Sequence, residues 1–165
     1  MSTNRYDEGK TGIQAPSKQL TVKDSDTTKF NHNLSLLIVQ LSKIYPDDKD
    51  LKIWSEKFEW SKKFNAKIVC ECFVDVTGNY VDQIMTRNEK FFLADLDYSN
   101  QVENPEYKYL INKLIHVWSS DIDEKLKSNI WLYFQTLLTY GILACRRQDL
   151  ADKINKYRVT PLTIR

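Results

Sequence analysis

The sequence predicts an all-α protein, a compact bundle of about five to six helices behind a flexible N-terminal arm. Three observations carry that expectation. Apolar residues recur at helical spacing through most of residues 30 to 157, for example Leu34, Leu37, Ile38 and Leu41. Helix-breaking and capping residues separate these runs, as in the Tyr-Pro-Asp-Asp connection at 45–48. Residues 119–148 have an acidic head, an apolar centre and a basic tail, the charge order that a helix dipole favours.

Residues 1–29 are rich in Ser, Thr, Gly, Asp and Lys and show no sustained apolar period, so they read as the arm. Its charge is nearly balanced, which makes it a poor electrostatic tether for DNA, and it reads as an untethered terminus in preference to an extended segment that orders against a partner. From Asn33 the helical face Leu34, Leu37, Ile38, Leu41 and Ile44 begins, and Pro46 ends it near Tyr45. Asp47 or Asp48 caps the next helix, whose face runs Leu51, Trp54, Phe58. So short a connection makes the two helices antiparallel neighbours.

The third segment is ambiguous. Ile68, Cys72, Val76 and Tyr80 have helical spacing, yet residues 68–76 also alternate and contain β-branched positions, so a strand stays open there. Asp75, Asp82 and Gln83 favour the helix, interrupted at Gly78, because glycine costs about 1 kcal/mol relative to alanine in a helix. Phe91, Phe92 and Leu93 pin the start of a long connection. Asn104 and Pro105 then open a helix with the face Tyr107, Leu110, Ile111, Leu114 and Trp118.

Ser120 with Asp123 three residues on resembles the start of a capped helix that ends before Arg146 and Arg147. Its apolar stretch, Ile130 to Cys145, spans about 24 Å, short of the roughly 30 Å of a hydrocarbon layer, so no membrane span is expected. Leu126, Ile130, Tyr133 and Leu137 share one side, and Trp131, Phe134, Leu138 and Ile142 the next. That breadth fits a central helix touched on two sides, and it equally fits a subunit interface. A short helix over 148–157 and a C-terminal tail over 158–165, read as a free end or a docking strand, complete the chain. The domain is thus 30–157.

Charge and chemistry exclude more than they assign. Twenty-four Lys and Arg against twenty-two Asp and Glu give a formal charge of +2, too small to argue for nucleic acid by its total. The distribution is uneven: residues 71–106 hold eight acidic and two basic residues, residues 146–165 six basic and two acidic. Three cysteines form no disulfide framework and the N-terminus lacks a signal-peptide core, which points to an intracellular reducing compartment. Cys70-Glu-Cys72 has the wrong spacing for a zinc or redox pair, and no metal or cofactor is expected. The chain lacks a P-loop, GxSxG, HExxH and a dinucleotide glycine fingerprint, so no catalytic residue is assigned and no enzyme is expected. Asp95 and Asp97 read as solvated loop carboxylates.

Two binding readings remain. One is protein association, by self-association or with another protein, with Phe91, Phe92, Trp131 and Tyr133 as candidate anchors whose first role is core packing. The other is nucleic-acid association through Lys62, Lys63, Arg146 and Arg147, with Trp60 and Phe64 nearby for stacking, although their i,i+4 spacing reads more simply as packing.

The pieces "IYPDDKDL" (44–51), "RNEKFFL" (87–93) and "NIWLYFQTLL" (129–138) resemble short stretches in small, largely uncharacterised helical proteins of large double-stranded DNA viruses. The resemblance covers about residues 30–145 and contains no chemical motif. It implies an infected-cell or virion context and a structural or assembly role.

Overall fold

The computed structural model describes residues 25–93 and 123–164, the side chains of 92 and 93 excepted. The helix expected from Asn104 through Trp118, the loop carboxylates, the side chain of Phe92 and residues 1–24 lie outside that set. Every regular element among the described residues is helical. They are α1 (Asp26–Ile44), α2 (Lys49–Phe64), α3 (Ile68–Thr77), α4 (Val81–Met85), α5 (Glu89–Leu93), α6 (Glu124–Ala144) and α7 (Gln148–Ile154). Single 3-10 turns at Gly78–Tyr80 and Asn155–Tyr157 follow α3 and α7.

α1 starts earlier than its sequence period suggested. Ser25 is the N-cap, its hydroxyl accepting from the Thr28 amide at 3.1 Å, and Phe30 is fully buried, so residues 25–29 belong to the domain and not to the arm. The helix stops before Pro46 as expected, and Asp48 caps α2 by accepting from the Leu51 amide at 3.0 Å. The two helices are then tied at their far ends. Asn31 donates to the carbonyl of Ala66 in the α2–α3 turn at 2.7 Å.

Segment 68–76 is a helix, which resolves the strand alternative. Its buried face is Val69, Cys70 and Val74, however, and Ile68 is exposed while Cys72, Val76 and Tyr80 are only partly buried. Glu71 and Asp75, both exposed and four residues apart, mark the outer side of α3, and the buried residues lie across the helix from them. They face Gly141 of α6, where a Cβ would lie 2.6 Å from Val74 Cγ2 and 3.7 Å from both Cys70 Sγ and the Phe30 ring. Only a glycine lets α1, α3 and α6 converge so closely. Gly78 does the same at the α7 crossing, where a Cβ would meet Leu150 Cδ1 at 2.8 Å. As expected, the helix is interrupted there, passing into a 3-10 turn before α4.

α6 is the centre of the bundle and packs on α1, α3, α4 and α7, with its longest contact along α1. Both sides read from its sequence are buried: Leu126, Ile130, Tyr133 and Leu137 on one, Trp131, Phe134, Leu138 and Ile142 on the other. Its N-cap is Asp123, which accepts from the Lys125 amide at 3.0 Å, three residues later than the Ser120 start expected from the sequence. At the other end Arg146 takes a left-handed φ of 54°, while the Arg146 and Arg147 amides donate to Leu143 and Ile142 carbonyls. Those bonds complete a Schellman cap, normally built on glycine. Arg87 closes α4 in the same way with φ 53°.

No strand forms at the C-terminus of the described chain. Asn155 instead clamps Leu162, donating to its carbonyl at 3.3 Å and accepting from its amide at 2.7 Å, and Leu162 and Ile164 pack on the core. No helix of the described residues is long and apolar enough to cross a membrane.

Candidate functional site

The anchors proposed from sequence fall mainly inside the bundle. Tyr133 is fully buried and Trp131 is 4% exposed, so within one chain neither presents a surface. Burial raises the Tyr133 phenol above its usual range, because the phenolate would lose its hydration. Phe91 is partly buried with its ring 5.7 Å from that of Tyr80, fixing α5 against the turn after α3. These side chains hold the fold, as the broad apolar surface of α6 required once α1, α3, α4 and α7 were assembled around it.

The basic candidates divide. Lys62 is built into the α1–α2 seam: it pairs with Glu59 at 2.8 Å, donates to Ser35 at 3.2 Å and lies 5.0 Å from the Phe58 ring centre. Arg147 makes a two-pronged contact with Asp149 at 3.0 and 2.9 Å and reaches Asp75 at 3.9 Å. The hydrogen bonds from Arg147 hold the Asp149 carboxyl below its usual range. Arg146 is exposed, and its backbone is the Schellman residue. Lys63 is exposed with its ammonium 5.3 Å from the Trp60 ring centre.

The aromatic pair read as packing is the principal surface feature. Trp60 is 60% exposed and Phe64 80%, with ring centroids 5.9 Å apart and planes inclined by only 12°. Ile53, seven residues before Trp60, is 50% exposed. At 3.6 residues per turn these three side chains fall within about 40° of one another, and their stripe is centred roughly 130° around the helix from the buried Leu51–Trp54–Phe58 face. α2 therefore has two apolar faces. The inner one is locked by the stacked Trp54 and Phe58 rings, 5.7 Å apart. The outer one has Lys57 on one edge and Lys63 with Glu56 on the other.

The fold also joins two cysteines that spacing alone could not. Cys70 and Cys145 approach to 3.9 Å between sulfurs, and both thiols are free. Burial pushes the Cys70 thiol up, the nearby Cys145 adding to it, and burial raises Cys145 as well. Raised thiols hold little of the thiolate that reacts, so the pair reads as core packing. Among the described residues no group of three or more His, Cys, Asp or Glu side chains is placed to hold a metal ion.

Comparison with family models, with curated proteins and with solved structures found no match to this chain. The fold and site define a class, a small helical bundle with an aromatic ridge on one outer helix, and the functional reading rests on that ridge.

Proposed function

We propose that this protein is an association module whose docking element is the outer face of α2. The observation that carries the reading is the exposure of Trp60 and Phe64 beside Ile53 on a helix whose core-facing residues are already fully engaged. Large aromatic side chains left in water are costly. Burying a side chain of this size contributes about 1.5–3 kcal/mol, so a partner that covers two of them gains several kcal/mol before ordering costs. Trp and Tyr are among the residues that most often carry binding energy in interface centres. A structural or assembly role, as the viral resemblance implies, is compatible with such a surface.

The nucleic-acid reading has a narrower footing. Lys57 and Lys63 flank the ridge, but Glu56 and Glu59 are exposed on the same helix and Lys62 is engaged in the α1–α2 seam. The Trp60 ring already has Phe64 and the Lys63 ammonium against it, which disfavours insertion of a base.

The test is site-specific photo-crosslinking with benzoylphenylalanine at position 64, and at exposed Asn79 as control, in extract of the cells that make the protein. The reading expects a discrete protein adduct from position 64 alone, reproduced with the purified partner. Adducts formed only within one chain, or equal at both positions, would overturn it.

A further inference from the structure

The charges beside the ridge make it complementary to itself. Glu56 and Lys63 lie on the same edge, both exposed, and the helix rise of about 10 Å between them keeps them from pairing within one chain. A two-fold axis brings them together. When two copies of α2 lie antiparallel with the axis beside Trp60, positions equally far before and after that residue come level, and each edge meets the same edge of the other helix. Lys63 of one copy then lies within about 1.5 Å of the axial level of Glu56 of the other, and symmetry makes the pair twice. We infer that the outer face of α2 binds a second copy of this chain, as an antiparallel pair with its two-fold axis at Trp60. The inference rests on the association reading and specifies its partner.

The same axis seats the apolar residues. Phe64 of one copy comes level with the space enclosed by Ile53, Glu56, Lys57 and Trp60 of the other, four residues at the i, i+3, i+4, i+7 spacing of a coiled-coil hole. Trp60 meets its own counterpart at the axis, so the most exposed rings become the centre of the contact. Lys57 sets the orientation. In the antiparallel pair it stands about 9 Å along the seam from its counterpart, beyond the roughly 8 Å screening length of physiological salt, whereas a parallel pair would bring the two level across the seam. An anionic lipid surface or a nucleic acid would instead press its phosphates onto Glu56 at the ridge edge. A second copy supplies both signs of charge at the matching spacing. A contact confined to three turns of one helix is small beside the roughly 800 Å² per partner of a standard interface, so the dimer is weak and the chain is monomeric at the low concentrations of a urea titration.

Sedimentation velocity of the full purified chain tests this, over a concentration series reaching about 1 mM, where weak specific complexes still populate. The mass is expected to rise from one chain toward two, and the Trp60→Ser/Phe64→Ser variant to stay monomeric throughout. Lys63→Glu alone and Glu56→Lys alone should each weaken the dimer about tenfold, because each sets like charges together at both contacts. An equimolar mixture of these two variants should regain the parental affinity as a heterodimer. Far-UV circular dichroism and urea midpoints matching the parent certify that the variants fold. A mixture no tighter than its components overturns the antiparallel pair and leaves the association reading standing. A chain that stays monomeric to the top of the series overturns the second copy; the association reading then survives if position 64 still crosslinks to another protein. It falls as well if no such crosslink forms, or if Trp60 and Phe64 carry binding of oligothymidylate or phosphatidylserine vesicles instead.

Discussion

Replacing Gly141 with alanine tests the geometry that organises the core. By intrinsic propensity alone, alanine in the middle of α6 should stabilise the helix by about 1 kcal/mol. The new methyl, however, would lie 2.6 Å from Val74 Cγ2, well inside the 3.4 Å at which ordinary van der Waals contact begins. Valine is stiff at χ1, and Val74 is itself 1% exposed, so the strain passes to the α3–α6 crossing. Overpacking of this kind costs about 1–3 kcal/mol, which outweighs the propensity gain and leaves Gly141→Ala less stable than the parent by roughly 1 kcal/mol. Val74→Ala alone loses two buried methyls, about 1.6 kcal/mol of transfer energy before any cavity cost. In the double variant the methyl introduced at position 141 occupies space that the Val74 side chain vacated, so the pair should be more stable than the sum of the singles by about 1–2 kcal/mol. Urea denaturation followed by circular dichroism measures all four species, given a common m-value. A Gly141→Ala protein as stable as the parent, or a cycle that is additive within error, would refute the argument that glycine is there for close approach.

The two faces of α2 make opposite predictions for the same residue type: Trp54→Ala should cost about 3–5 kcal/mol, and Trp60→Ala should lie within about 0.5 kcal/mol of the parent, read from urea midpoints. Comparable losses at both positions would mean that the outer ridge is packed in solution. Stability should also fall at alkaline pH. Folding raises the Cys70 thiol and the Tyr133 phenol, so the folded chain keeps protons that the unfolded chain releases above its ordinary thiol and phenol values, near pH 8.5 and 10. The contribution is fully present at neutral pH and lost as pH rises through that range. Urea midpoints should be level near pH 7, decline above about pH 9, and decline less steeply in Cys70→Ala; midpoints unchanged to pH 10 would contradict the burial of both groups.

Much of the architecture was legible because punctuation and periodicity agreed. Pro46 ended α1, Asp48 capped α2, and the acidic and basic flanks of α6 framed a segment too broad in its apolar surface for a single neighbour. Ends without strong chemistry were misplaced. Ser25 lies within a stretch of polar residues, and the Phe30 that it brings into the core precedes the first sustained apolar run. At α6 both Ser120 and Asp123 are good caps, and sequence offered no reason to prefer the second. The α3 face was misread although the chain carried a signal: Glu71 and Asp75 share one side, the expected face of Ile68, Cys72, Val76 and Tyr80 lies beside them, and the buried Val69, Cys70 and Val74 lie across the helix, where Val74 meets Gly141 far along the chain. Likewise Cys70 and Cys145 meet only because α3 and the end of α6 meet.

The ridge was the most consequential misreading, and α2 shows why. Leu51–Trp54–Phe58 and Ile53–Trp60–Phe64 both recur at helical spacing, so each satisfies the rule that identifies a buried stripe. Both aromatic pairs even stack one turn apart, at 5.7 and 5.9 Å. A helix on the outside of a bundle can bury one such stripe against its own chain, and here α1 and α3 are the elements that cover it. Choosing between them from sequence requires asking what interrupts each. The inner stripe is continued by Ser61, whose hydroxyl donates back to the Phe58 carbonyl within α2, and by Lys62, which donates to Ser35 across the α1–α2 seam, whereas the outer one is interrupted by Lys57 and edged by Lys63, charges that keep it wet. The surplus stripe is then the informative one. Among the described residues no element covers this second apolar face, and a large exposed apolar surface is the kind that marks an interaction site.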